Sequence, residues 1–195
     1  MKLLRPKPST LRACITGAAV LLLAIVVLSS PLAAAEPPAV PEYKVKAAFL
    51  VNFVRYTTWP PEVFPSDDAP IIIGVLGNDP FGAVLERTIL TQKSGRRLEL
   101  RHVTSAEQAT KCHLVFIAKS EQGHEAAWLA ALADAPVVTI GESGQAIARG
   151  SLLEFVIVGN RVRFDANWAA MQRAGVKFSS QLLASAKKVY HAPTP

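Results

Sequence analysis

Ile71-Ile72-Ile73-Gly74-Val75-Leu76 is a continuous apolar run of strand length, and Gly77-Asn78-Asp79-Pro80 follows it as a turn. A strand with one wet face alternates apolar and polar residues. A strand that is apolar throughout is covered on both faces, as parallel strands between helical layers are. Asp79 is a good N-cap and Pro80 a good first helical residue, so the spacing predicts a helix over residues 80–90. Strand, tight turn and helix in that order open an α/β unit.

The pattern repeats downstream. Gly95 breaks the chain before a second strand at 98–103. Residues 105–110 read as a short helix, with Ser105 and Gln108 at capping-box spacing. A third strand is expected at 114–118, an Ala-rich helix containing Trp128 at 123–133, and a fourth strand at 137–140. Residues 143–148 have room for one or two helical turns before Gly150. Strands at 152–158 and 161–166 flank Gly159-Asn160, a two-residue hairpin signal. Helices near 168–174 and 179–189 close the chain, with Ser179 capping the second.

Upstream lies an amphipathic stretch, YKVKAAFLVNFVRYTTWP, at 43–60. Val45, Phe49, Leu50, Phe53 and Tyr56 share one arc of a helical wheel, and Lys44, Ala48, Asn52 and Arg55 fill the other. Lys46 falls inside the apolar arc, which predicts solvation at that end. Trp59-Pro60-Pro61 stops the helix, and residues 62–70 read as a loop. The expected fold is α/β: a three-layer sandwich with a largely parallel central sheet, helices on both faces and a C-terminal hairpin followed by helices.

Residues 1–35 have a secretory signal layout. Lys2, Arg5, Lys7 and Arg12 precede an apolar run at 15–28, and Ala33-Ala34-Ala35 is an A-x-A cleavage pattern. A retained anchor is the alternative. Residues 36–41 are a proline-rich tether and 42–191 a single domain. The whole chain carries 21 basic and 15 acidic residues, net +6; without the leader's four basic residues the balance is 17 to 15, or +2. No basic run remains to suggest nucleic-acid binding. Of the two cysteines, Cys14 lies in the leader, so Cys112 has no partner for an intramolecular disulfide. It begins an apolar run, Cys112-His113-Leu114-Val115-Phe116-Ile117, and reads as a buried inert thiol.

Candidate chemistry is sparse. The glycines around Gly77 do not follow G-x-G-x-x-G, and no G-K-[ST] follows them. His102, His113, His124 and His191 form no H-x-x-x-H pair, and Cys112 and His113 point to opposite faces of a strand, so no metal site is expected. There is no G-x-S-x-G; Asp134 and Glu142 read as isolated carboxylates, and Glu154 sits inside a strand pattern. Neither an enzyme nor a cofactor is expected. Gly77, Asn78, Ser120, Glu142 and Ser143 lie where α/β proteins place ligand loops, and one crevice lined by them is the ligand-sensor reading. Trp59, Phe64 and Trp168 are candidate partner-surface aromatics, with the core as the competing reading at each.

Several separated pieces together resemble the YfiR family of exported regulators, which includes HmsC-type proteins. They are Val45-Lys46-Ala47-Ala48-Phe49-Leu50 with Asn52-Phe53 and Thr58-Trp59-Pro60; Gly74-Val75-Leu76-Gly77 with Asp79-Pro80-Phe81-Gly82; the run from Cys112 to Ile117; and Asn160-Arg161-Val162-Arg163-Phe164-Asp165 with Asn167, Ala174-Gly175 and Ser179-Ser180-Gln181-Leu182-Leu183. The resemblance implies a periplasmic α/β domain without catalytic activity that binds an inner-membrane diguanylate cyclase and holds it inactive, lowering cyclic di-GMP and biofilm formation. It also implies an outer-membrane lipoprotein as a possible sequestering partner, and a homodimer. The family's well-studied members carry disulfides; a single cysteine outside the leader means that this form of redox control does not carry over.

Overall fold

A computed structural model describes residues 42–92 and 95–191. The leader and tether expectations lie outside the described residues. The chain forms α1 (Glu42–Arg55), β1 (Thr57–Thr58), a 3-10 turn (Pro61–Val63), β2 (Ile71–Leu76), α2 (Ala83–Leu90), β3 (Leu98–Val103), α3 (Ala106–Ala109) and β4 (Leu114–Ile117). A second 3-10 turn (Lys119–Glu121) leads to α4 (Glu125–Leu132), β5 (Val138–Gly141), β6 (Leu153–Val158) and β7 (Arg161–Asn167). α5 (Trp168–Arg173), β8 (Lys177–Phe178), α6 (Ser180–Ser185) and β9 (Lys188–Tyr190) complete it.

Seven strands form the main sheet in the order β3-β2-β4-β5-β6-β7-β9. β3, β2, β4, β5 and β6 are parallel; β7 returns antiparallel to β6, and β9 pairs parallel to β7. β1 and β8 make a separate two-stranded ladder. The apolar strands supply both faces of the sheet. Ile73, Val75, Leu114 and Phe116 join α1, α2 and α5 in one core cluster. Val115, Ile117 and Leu76 join α3 and α4 residues in another. The fold is the expected mixed α/β sandwich with a mostly parallel centre.

Four local expectations are corrected. α2 begins at Ala83, not Pro80, because the Asp79 carboxylate accepts from the Phe81 N–H at 2.7 Å and closes a turn before the helix starts. α1 ends at Arg55, and the chain then becomes extended to pair with β8. Residues 143–148 form bends and turns and no helix. The last helix stops at Ser185; residues read as its tail become β9, whose ladder partners on β7 lie outside any local pattern.

The arc of α1 is also rotated. Lys46, Ala47, Leu50, Val51, Phe53 and Val54 are buried, whereas Val45 and Phe49 are half-buried. Phe53 seats the helix: its ring meets Phe164 edge-on at 4.9 Å and Phe155 at 5.7 Å. At the far end of the sheet, Gly159 (φ 52°) and Asn160 (φ 60°) make the hairpin turn with two left-handed residues, as a type I′ turn requires.

Gly74 lets β2 pack under the segment leading into β4. A Cβ there would lie 2.9 Å from both Cys112 Sγ and Val103 Cγ2. Gly74→Ala is expected to destabilise the fold by about 1–3 kcal/mol through overpacking. Urea denaturation measures the loss, and adding Cys112→Ala is expected to restore part of it.

Candidate functional site

The order of the strands places a topological switch between β2 and β4, since the chain moves outward to β3 and then returns to the other side of β2. Open α/β sheets bind ligands outside the strand ends at such a point. Here the chain fills the crevice itself. Ser120 Oγ accepts from the Asn78 N–H at 2.9 Å. A Cβ on Gly77 would stand 2.5 Å from that oxygen and 2.7 Å from Glu121 Cγ, and the φ of Gly77 is 91°. Gly77, Asn78 and Ser120 therefore come together as expected, in a closed contact between two loops.

One strand further along, the surface opens. A groove of about 670 Å³ is lined by Tyr43, Lys46, Lys119, Glu142, Ser143 and Phe155, among others. Its floor is ionic. Lys46 Nζ lies 2.5 Å from Glu142 Oε2, and each side chain is 4 % exposed. Glu42, one helical turn before Lys46, also pairs with it. Glu142 Oε1 accepts from the Lys119 N–H at 3.1 Å, and the Tyr43 hydroxyl donates to the same carboxylate at 3.3 Å. The Lys46 ammonium also stands 4.6 Å from the Tyr43 ring centroid.

Two expectations are corrected here. Lys46 is not solvated, and Glu142 is not isolated; each is the other's buried partner. Asp134, the other carboxylate read as isolated, stands 4.0 Å from Arg173 Nε at the surface. Burial opposes the charge on Lys46, but the hydrogen bonds and charges of Glu142 and Glu42 together outweigh it and raise its pKa. Burial, and then the charge of Glu142, raises that of Tyr43.

Ser143 is committed elsewhere. Its hydroxyl donates to Glu125 Oε2 at 2.6 Å, and Arg149 Nη1 meets the same oxygen at 2.7 Å. Glu154, from the strand pattern, accepts from the Ala146 and Ile147 N–H groups at 2.9 and 3.2 Å. Three carboxylates, Glu125, Glu142 and Glu154, thus hold the segment between β5 and β6. Tyr43, Lys46, Glu125 and Arg149 were not candidates from sequence. The one available signal was a lysine inside an apolar arc, which marks a buried partner as readily as a frayed end.

The aromatic candidates divide. Trp59 is 6 % exposed and donates from Nε1 to the His113 carbonyl at 3.2 Å. Phe64 is half-buried between Arg96, whose guanidinium carbon is 4.1 Å from its centroid, and the His113 ring, stacked at 4.8 Å and 16°. Trp168 is half-buried against His191 at 6.0 Å. Cys112 and His113 do face opposite sides: Cys112 is in the α3–α4 cluster, and His113 contacts Trp59 and Phe64. Burial pushes the Cys112 thiol above its ordinary range.

The fold is thus an α/β sandwich whose inter-strand loops are closed by their own side chains, beside a surface groove walled by a helix and a hairpin. The chain belongs to the YfiR/HmsC-like family, whose sequence profile matches residues 43–187. This is a family of periplasmic, non-enzymatic regulators that act with membrane signalling proteins. Among the described residues, no helix is long and apolar enough to cross a membrane. Two solved structures share the fold. One is the ABC domain in complex with L-Trp from Streptococcus pneumonia (TM-score 0.50, 13 % identity). The other is a conserved domain protein from Vibrio cholerae O1 biovar El Tor str. N16961 (TM-score 0.51, 14 % identity). Each match covers 73 % of this chain and 60 % of the other, so this chain spans less than two thirds of their length.

Lys46→Met keeps the volume but leaves the buried Glu142 carboxylate without its cation. It is expected to cost about 3–5 kcal/mol. Adding Glu142→Gln is expected to recover much of this, since the neutral amide still accepts from the Lys119 N–H. The raised pKa of Lys46 fixes the pH sign. Its contribution is complete below the ordinary lysine value of 10.5 and is lost as pH rises through the higher folded value. Chemical denaturation at neutral and alkaline pH measures both effects.

His113 supplies the acid limb. Its Nδ1 accepts from the Ile72 N–H at 3.1 Å, so the folded state holds a neutral ring. Burial, then the charges of Arg96 and Arg101, lowers its pKa. The unfolded chain therefore takes up the proton first. Stability is complete above the ordinary value of 6.5 and falls as pH drops below it, until the lower folded value is reached. The urea midpoint is expected to fall between about pH 7 and pH 5, and His113→Asn is expected to flatten that limb while lowering the midpoint overall.

Proposed function

We propose that this chain is a non-enzymatic periplasmic regulator that binds the periplasmic part of an inner-membrane diguanylate cyclase and holds it inactive. It thereby lowers cyclic di-GMP and biofilm formation. The observation that carries the reading is family membership across residues 43–187. The geometry agrees with a binding role: the polar side chains at the strand ends are engaged in holding loops in place, with Ser120 on Asn78, Glu142 on Lys46 and Ser143 on Glu125. Export through residues 1–35, sequestration by an outer-membrane lipoprotein and a homodimer belong to the same proposal.

A second reading, a periplasmic small-ligand sensor acting on a sensor kinase or other receptor, draws on the 670 Å³ groove and its Lys46–Glu142 floor. The two readings separate in cells. Cellular cyclic di-GMP is expected to rise in a strain lacking the protein and to return on complementation. An unchanged level, with the protein shown to be made in the parent, would reject the cyclase reading and favour the sensor.

A further inference from the structure

β5 ends before β6 does. They pair only through Ile140 with Leu153 and Gly141 with Glu154. β6 pairs with β7 along its whole length, to Val158 opposite Arg161. Residues 155–158 therefore have backbone partners on the β7 side and, among the described residues, none on the β5 side. This edge is not buried under another element. Phe155, Val156 and Ile157 form one wall of the 670 Å³ groove. Ile157 and Val158 are 53 % and 43 % exposed, two of the three large hydrophobic side chains exposed among the described residues. A row of unpaired amides and carbonyls beside exposed apolar side chains is a template for another strand.

We propose that the open edge of β6 is a strand-addition site for an extended segment of the partner protein in which apolar and acidic residues alternate. The inference rests on the reading of this chain as a protein-binding regulator and names the chemistry of the contact.

The alternation follows from the pleat. Ile157 shares a face with Phe155, Val162 and Phe164, the face covered by α1. An added strand places every second residue on that side, beside Phe155, Ile157 and the Tyr43 ring, where apolar groups suit it because the Lys46 and Glu142 charges are already paired with each other. Val156 and Val158 share the other face with Arg163 and Arg161. The 3-10 turn carrying Lys119 leads to α4 on that side of the sheet. Lys119, Arg161 and Arg163 are exposed, and no ion pair engages them among the described residues. Acidic residues on this face would meet Arg161 and Arg163, with Lys119 also lining the groove. A second copy of the chain suits the edge less well. Antiparallel pairing of two β6 edges carries the Arg161 tip of one copy toward the Lys119 end of the other, cation against cation.

The test uses the chain from Glu36 onward and a fluorescent ten-residue peptide of alternating Val and Asp, read by anisotropy. Saturable binding is expected. N-methylation of one parity of peptide residues is expected to weaken it about tenfold or more by removing strand hydrogen bonds, and methylation of the other parity to matter little. Arg163→Glu and Ile157→Asp are each expected to weaken binding about tenfold, with unchanged melting, since both side chains are exposed. No saturable binding, equal effects of the two methylated peptides, or equal binding of a Val–Lys peptide would overturn the proposal. So would a sedimenting dimer that Ile157→Asp dissociates, which would assign the edge to a second copy. In cells, the Ile157→Asp/Arg163→Glu variant is expected to fail to lower cyclic di-GMP in the deletion strain. If it restores the parental level, the site is wrong and the regulator reading stands. If deletion itself changes nothing, the regulator reading fails, and with it the proposal.

Discussion

A lysine buried between two carboxylates ties together the helix, the sheet and the groove. Lys46 lies on the face of α1 that packs against the sheet, and its ammonium requires a counter-charge where water is excluded. Glu142 supplies it from the end of β5, with Glu42 one turn earlier on the helix. Glu142 also takes the amide of Lys119, so one carboxylate fixes the start of α1, the exit of β4 and the exit of β5. Such a pair adds little over an apolar pair of the same size, but losing one partner is costly. Its consequence is geometric: with Phe53 seated on Phe155 and Phe164 further along, α1 is held at both ends, and the groove between its N-terminus and the hairpin has a fixed shape.

The centre of the sheet was legible because β2 and β4 are apolar on both faces, a pattern that local sequence carries in full. The run 71–76 and the strand 98–103 stand where the sequence put them, and the Gly159-Asn160 turn joins β6 and β7 as expected. What local sequence does not carry is competition. Asp79 had two uses for one carboxylate, and the Asx turn displaced the cap. Lys188-Val189-Tyr190 had helical neighbours, but a free edge on β7 drew it into the sheet. The arc of α1 was mis-centred because large aromatics outweigh small residues in a wheel, whereas contact with the sheet selected Ala47, Val51 and Val54.

The site was legible by position and not by partner. Strand-end reasoning placed Ser120, Glu142 and Ser143 in the loops after β4 and β5, since topology alone puts them there. It missed that each is engaged, because the contacts span large sequence separations: Lys46 and Glu142 are 96 residues apart. A charged residue in an apolar arc is the only local trace of such a pair, and its sign as a cation says only that a carboxylate must be found somewhere else in the chain.

Closing the switch-point crevice has a functional consequence. Where an α/β protein commonly admits a ligand, Gly77 brings the backbone against Ser120 and leaves no space between the loops. The open surface is displaced toward β5 and β6, where β5 stops short and the hairpin runs on. A groove there is bounded by the β6 edge with Phe155, Val156 and Ile157 on one wall and by the paired Lys46 and Glu142 on its floor. On the proposed reading such a surface would respond to length, alternation and charge, which are properties of a polypeptide segment more than of a small molecule. The closed crevice and the open strand edge are the two observations on which the proposal of a protein occupant rests.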